Sequence, residues 1–468
     1  MTQMMIGLSV ALLTAVSLPL QADQTPEASM KTNSSAPYEK VAEKKLFNGE
    51  SLFEFRLQNG LRVLHVARSQ AKVLTYQTWF NVGSLHEKLD PKLQKTGLAH
   101  LFEHMMFRGS EKYPDGKFDA ITSRIGGEKQ NATTHFYRTN YYESVPSIQL
   151  EKIMELESDR MRALKLTKDI IEKEKGAVVG EYRRHMDNPA SVAWDEMLQL
   201  MFTTSPFRWT VLGTEEEIKG FSVEEAQYFY KTFYSPNNAT LIVIGDVTEK
   251  PLLDLVVKYY GDMPRQEIPQ TVVPEEPEQK KERRKETTHK QATSEILLVA
   301  YRGPSVDSPD IIPLQLLGTH LSRGMESRLR KLLVDSGIAV GASAACGSRP
   351  DLFEFFVQLA EGHKAEEALR IIDKEVVSLQ KTKVSEPQFQ RALNQELLNL
   401  YTDIGENSEL GNWLGEYLML PGSYMRGFEI IDGFSKISSG ELQRVAKKFL
   451  HPQARSIVII RPEKKKKA

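Results

Sequence analysis

A strict alternation of apolar and polar side chains begins at Leu52, where Phe53-Glu54-Phe55-Arg56-Leu57 reads as a strand with one buried face. Asn59-Gly60 marks a hairpin, and Leu61-Arg62-Val63-Leu64 resumes the strand. Residues 73–82 form another strand pattern that ends at Gly83. The period then changes to a helical one through an apolar run that stops near Gly109. Pro114-Asp115-Gly116 makes a turn, and residues 118–125 read as a short helix closed by Gly126-Gly127. Residues 131–144, rich in Thr, Tyr and Phe, predict one or two strands. Two long helices follow near 147–165 and 168–187, then a strongly apolar strand at Thr240-Leu241-Ile242-Val243-Ile244-Gly245 and a helix over 251–260.

Residues 265–293 break this pattern. Pro269, Pro274 and Pro277 lie among acidic residues, followed by Lys280-Lys281-Glu282-Arg283-Arg284-Lys285. Interleaved charge of both signs reads as a solvated linker between domains rather than a nucleic-acid patch. The order then starts again: a strand at 296–301, a mostly helical stretch at 311–333, a strand at 353–359, helices over 365–381 and 387–403, and a late strand at 456–460. The two late apolar strands occupy matching places, so the pattern predicts a duplicated α+β unit. The expected fold is two related α/β-sandwich domains, each an antiparallel-rich sheet covered by helices, over residues 46–264 and 294–462. Residues 23–45 are polar and read as a flexible lead-in, and residues 463–468 as a basic tail.

Composition narrows the function classes. The chain has 468 residues, 40% hydrophobic and 26% charged, as in globular proteins, and its net charge of -1 offers no electrostatic case for nucleic acid. Its single cysteine, Cys346, excludes an intramolecular disulfide and a zinc site built on two or more cysteines. Cys346 reads as a small core or strand-end residue. The uncharged apolar run from Ile6 to Leu20, followed by Leu20-Gln21-Ala22, has the form of an export signal spanning residues 1–22 and predicts a periplasmic or secreted protein. An uncleaved membrane anchor is the alternative. No later segment could cross a membrane, so no stable span is expected once the signal is removed.

The candidate chemistry lies in Gly97-Leu98-Ala99-His100-Leu101-Phe102-Glu103-His104-Met105-Met106-Phe107-Arg108-Gly109. On a helix His100 and His104, four apart, share one face and can converge on one metal ion, with Glu103 close enough to reach a water on it. His-x-x-Glu-His is the inverted zincin arrangement. The ordinary alternative is a pair of core histidines satisfied by hydrogen bonds. A hydrolytic zinc takes three protein ligands and keeps a position for water, so a third donor is needed. Glu174 and Glu181, seven apart, lie on one helix face two turns apart. One can ligate while the other orients a ligand, or both can be surface carboxylates like Glu172.

The stretch through Gly109-Ser110 with Tyr113-Pro114, together with Asn131-Ala132-Thr133-Thr134, Thr139, Tyr141-Tyr142, the Glu174 to Arg184 helix, Ser205-Pro206-Phe207, Gly213-Thr214-Glu215 and Tyr234-Ser235-Pro236-Asn237-Asn238-Ala239, resembles the inverzincin peptidases of the pitrilysin, insulin-degrading-enzyme and mitochondrial-processing-peptidase group. The resemblance covers nearly the whole mature chain, and its length matches the two-domain subfamily. It implies a zinc metalloendopeptidase that cleaves peptides or unfolded segments inside a closed chamber, with one Zn2+ per chain on His100, His104 and Glu181. Glu103 would be the catalytic base and Glu174 the supporting carboxylate, with Asn131 and Ala132 holding the peptide backbone. A non-catalytic scaffold subunit of the same family is the alternative reading.

One departure stands out. The family's second half usually carries an Arg and a Tyr that reach the active site, in a segment where this chain reads Leu332-Leu333-Val334-Asp335-Ser336-Gly337-Ile338-Ala339-Val340. Leu333 or Val334 stands in the Arg place and Val340 in the Tyr place, and none can donate a side-chain hydrogen bond. Arg328 and Arg330 are nearby but out of register. The expectation is a dimer in which a homologous subunit supplies the Arg/Tyr pair.

Overall fold

The computed structural model describes residues 36–46, 48–347, 351–419 and 422–463. The export signal read over 1–22 and the basic run from Lys464 onward lie outside the described residues.

Seven strands form the first sheet: β1 Tyr38–Lys45, β2 Ser51–Leu57, β3 Arg62–Ala67, β4 Val73–Phe80, β5 Glu128–Thr134, β6 Thr139–Pro146 and β7 Ala239–Gly245, in the order β1-β2-β3-β7-β4-β6-β5. Five form the second: β8 Arg283–His289, β9 Ile296–Arg302, β10 Ala339–Gly347, β11 Leu352–Leu359 and β12 Arg455–Pro462, in the order β10-β11-β9-β12-β8. The five strands from β3 to β5 and the five of the second sheet have the same topology. In each, the late strand pairs parallel with the first strand and antiparallel with the second. The two late strands that matched in the sequence, β7 and β12, therefore hold equivalent central positions. All seven residues of β7 are buried, as a central strand covered on both faces requires.

Among the described residues, fifteen helices cover the sheets. In the first half these are α1 Ser84–Leu89, α2 Leu98–Met105, α3 Lys117–Arg124, α4 Leu150–Ala163, α5 Lys168–Met186, α6 Pro189–Met201, α7 Glu215–Lys219, α8 Val223–Phe233 and α9 Glu249–Tyr260; in the second, α10 Ile311–Ser322, α11 Ala365–Lys381, α12 Glu386–Gly405, α13 Asn407–Met419, α14 Met425–Phe434 and α15 Ser439–Phe449. Each half has its own apolar core under its helices. Two helices cross over: α6 packs on β8, β9 and β12 of the second sheet, and α13 packs on β4, β6 and β7 of the first. Gly411 and Gly415 let α13 lie close to β4, since a Cβ at Gly415 would sit 2.2 Å from the Trp79 ring and one at Gly411 2.5 Å from the Gln77 amide. None of the helices among the described residues is long and apolar enough to cross a membrane.

The structure corrects two expectations. The lead-in drawn over 23–45 ends in a strand, because Tyr38–Lys45 pairs antiparallel with β2. The linker drawn over 265–293 contains β8, which pairs parallel with β12. Both are edge strands with mostly exposed charged residues, so neither has the alternation that marks a half-buried strand. The stretch read as mostly helical over 311–333 consists of α10, which ends at Ser322, and a π-helical turn at Arg330–Val334 that leads into β10.

Candidate metal centre

Helix α2 turns its apolar side (Leu98, Leu101, Phe102, Met105) into the first core, and this leaves His100 and His104 on the side facing α5. Their rings lie with centroids 5.0 Å apart. Glu181 comes across from α5, its Oε2 3.7 Å from His100 Nε2 and 3.4 Å from His104 Nε2. The three donor atoms all lie within 4.8 Å of one another. Two donors on a tetrahedral zinc at about 2.0–2.2 Å stand roughly 3.3 Å apart, so the cluster has nearly the spacing a single ion requires. The hydrogen-bonded alternative does not fit His100. Its Nδ1 is buried without a hydrogen-bond partner, and its Nε2 faces Glu181 at a distance too long for a hydrogen bond.

Glu174, two turns before Glu181 on α5, is fully buried and points elsewhere. Its Oε2 lies 3.7 Å from His104 Nδ1 and its Oε1 2.7 Å from Arg108 Nε. The two glutamates thus face opposite nitrogens of one imidazole. Glu172, on the outer side of α5, is exposed and pairs with Lys175 at 2.7 Å. Glu103 is held from the sheet: its Oε2 accepts a hydrogen bond from Thr134 Oγ1 on β5 at 2.6 Å. In the sequence Thr134 stands only as part of a strand pattern. Its contact with Glu103 depends on the β5–β6 hairpin folding back under α2.

The electrostatics follow from this packing. Burial, aided by His104, pushes His100 down to about 4, so it is a neutral donor at pH 7. Burial also acts to lower His104, but Glu174 and Glu181 outweigh it and hold this imidazole up at about 9. His104 draws Glu181 below the ordinary carboxylate range. Glu174 is pushed up by burial, yet His104 and Arg108 bring it below that range as well. Burial raises Glu103, with the Thr134 hydroxyl pulling the other way.

Asn131 and Ala132 lie on β5, the last strand of the first sheet, whose outer edge has no strand beside it among the described residues. Ala132 is buried opposite Tyr141, whose hydroxyl donates to Phe102 O at 3.3 Å, so Ala132 faces α2. Asn131, opposite Tyr142, faces the other side. There a cleft of about 330 Å³ is lined by Lys129, Asn131, Tyr142 and, from α13, Ser408, Glu409 and Asn412. The second-half segment expected to lack donors stays apart from this. Leu333 is buried in the second core, Val340 is exposed on β10, Arg328 binds the buried Glu375 at 2.7–2.8 Å, and Arg330 pairs with Asp335. Cys346 is half-buried on β10.

Comparison with known proteins gives matches in both halves. Residues 62–215 match the model for Insulinase (Peptidase family M16), and residues 220–396 match that for the Peptidase M16 inactive domain. The zinc protease PqqE of Helicobacter pylori is 25% identical over 415 residues, covering 87% of this chain and 92% of that protein. The probable mitochondrial-processing peptidase subunit beta of Arabidopsis thaliana is 23% identical, covering 87% of this chain and 77% of that one. The crystal structure of a protease from Helicobacter pylori superposes with a TM-score of 0.82 at 23% identity, covering 91% of this chain and 99% of the other.

Proposed function

Because the chain belongs to the M16 (insulinase) family of peptidases, we propose that it is a zinc-dependent endopeptidase acting on peptides or unfolded polypeptide segments. The observation that carries this reading is the convergence of His100, His104 and Glu181 beside Glu103. His100, His104 and Glu181 would hold the zinc. When bound there, the ion supplies an acidified water and polarises a carbonyl. Glu103, its carboxyl already raised by burial, takes the proton from the water and returns one to the leaving amine. The Thr134 hydroxyl fixes which way Glu103 points. Glu174, its Oε2 3.7 Å from His104 Nδ1, favours the tautomer with its proton on Nδ1 through its charge, which leaves Nε2 free to ligate. The peptide adds as a strand along the open edge of β5, with Asn131 and Ala132 gripping its backbone, so affinity is largely main-chain and broad in sequence.

The chain acts as the zinc-bearing subunit of a dimer that encloses the cleft, and a homologous partner supplies the missing Arg and Tyr. This rests on Leu333, Val334 and Val340 at the places where donors would stand. The N-terminal apolar run supports export to the periplasm. The scaffold reading is weakened because the inactive-domain match begins at residue 220, beyond all four residues of the centre.

Glu103→Gln separates the two readings. Gln can still accept from Thr134, so the fold and the zinc content are expected to stay, while peptide cleavage falls about 10²- to 10⁴-fold. Cleavage at the wild-type rate would sink the mechanism, and absence of zinc from the wild-type protein would favour the scaffold. Full peptidase activity of the purified chain alone would refute the need for a partner.

A further inference from the structure

The metal helix begins without a cap of its own. Its N-cap, Gly97, has no side chain and a left-handed φ of 96°. No L side chain fits there, since a Cβ would sit 2.5 Å from Leu212 O. Four amides at a helix start lack intrahelical partners, and here these include the amide of His100 itself.

We propose that Glu87, on α1, is a positioning residue that caps α2 from outside and so sets where His100 stands. Glu87 is completely buried. Its Oε2 accepts the Gly97 N–H at 2.8 Å and its Oε1 the Ala99 N–H at 2.6 Å. A carboxylate at this end of a helix also meets the positive pole of the helix dipole. Burial pushes the Glu87 carboxyl up to about 8 against the pull of both amides, so this cap is held at a cost, unlike an ordinary serine or aspartate cap at the surface.

A second layer ties the same helix start to the helix that carries Glu181. The Thr96 hydroxyl donates to Glu217, which also accepts from Lys88 at 2.9 Å and from Thr214 at 3.1 Å. Glu215, two residues earlier on α7, pairs with Arg183 of α5 at 2.6 Å. Arg183 lies two residues past Glu181. The contact at Gly97 is reciprocal, because a Cβ at Gly213 would sit 2.2 Å from Thr96 O. Glu87 and α7 together form a clamp that fixes the spacing of two ligand-bearing helices. One motif quoted in the sequence, Gly213-Thr214-Glu215, thereby acquires a physical role.

The inference rests on the zinc reading for its consequence but not for its geometry, and the test has one arm for each. In Glu87→Gln a single acceptor remains, and the amide NH2 is turned against a backbone N–H. In metal-free protein, hydrogen exchange at Gly97 and Ala99 is expected to speed up at least tenfold, while α4 is unchanged. In cobalt-loaded protein, the visible ligand-field bands are expected to shift and metal affinity to fall tenfold or more. A role in stability alone would lower the denaturation midpoint and leave the bands of the folded, loaded protein where they were. Unchanged exchange at both amides, or unchanged bands with affinity within twofold, overturns the proposal. If the wild type takes up no cobalt, the metal reading fails and the exchange arm still decides on Glu87. If the Gln variant does not fold, the wild type decides. Helix α3 also starts at a left-handed glycine, Gly116, without a side-chain cap, and first-turn amides of α3 exchanging as slowly as Gly97 and Ala99 would overturn the role.

Discussion

Replacing Glu174 with Gln tests how far the centre depends on a residue that need not touch the ion. The change conserves volume at a buried position, so it leaves no cavity. One oxygen stays in place, 2.7 Å from Arg108 Nε. With that contact kept, the new NH2 group occupies the Oε2 position, 3.7 Å from His104 Nδ1. A donor there favours the tautomer with its proton on Nε2, the nitrogen aimed at Glu181 and the ion. Loss of such a supporting carboxylate costs about 10- to 100-fold in metal affinity, roughly 1.4–2.8 kcal/mol. Because the wrong tautomer is stabilised, Gln is expected at the weak-binding end, near 100-fold, and Ala nearer tenfold. Arg108 is partly exposed, so its lost ion pair adds little to the stability change. Competition with a chromophoric chelator at fixed pH measures the affinity. Glu172→Gln, on the exposed side of the same helix, is the control and is expected to change nothing. Zinc affinity within threefold of wild type in Glu174→Gln, or an Ala variant weaker than the Gln variant, would refute the orienting role.

Two further predictions concern the frame. Gly415→Ala forces a methyl group into the Trp79 ring and should destabilise the protein by about 1–3 kcal/mol in urea titration, with the loss traced to α13 lifting from the first sheet; a neutral result would mean that α13 can shift freely. His320 of α10 is buried and, despite the pull of Glu375, is held down at about 4 by burial, with Arg328 and Arg391 adding to the effect. Below its unfolded value near 6.5 the unfolded chain takes a proton that the folded chain refuses until about pH 4, so stability is lost across that window as pH falls, by up to about 3 kcal/mol. The wild type should therefore lose about that much more than His320→Leu between pH 7 and pH 4 in denaturant midpoints, and parallel curves would refute it.

Much of this arrangement could be read before folding because it rests on local periodicity. The run from Thr240 to Gly245 has the continuous apolar character of a central strand, and it is one. The face-sharing of Glu174 with Glu181 followed from helix geometry, as did that of His100 with His104. What spacing could not decide is which glutamate approaches which nitrogen. That depends on how α5 lies across α2, a tertiary fact. β1 and β8 were missed because an edge strand can be charged on its solvent face and owe its pairing to its neighbour. Thr134 and Glu87 were missed for a different reason. Each acts on the metal helix from another element, and nothing in the sequence near either one marks the contact.

The duplicated frame carries the His–His–Glu cluster in only one of its halves among the described residues. In the first half α2 packs on α5, and in the second α10 packs on α12. Where the first pair sets two imidazoles against Glu181, the second closes with an ordinary hydrogen bond, Thr319 Oγ1 to Glu396 Oε2 at 2.6 Å. Nearby, His320 is buried with its Nδ1 unpartnered, and Glu375 is neutralised by Arg328. A hydroxyl–carboxylate pair satisfies both groups at contact distance. Three donors around one ion instead stand roughly 3.3 Å apart without bonding to one another. The first half must therefore be braced from outside its ligands, as Glu174 with Arg108 and Glu87 with α7 are placed to do. The second half, closed by its own hydrogen bond, is relieved of that demand.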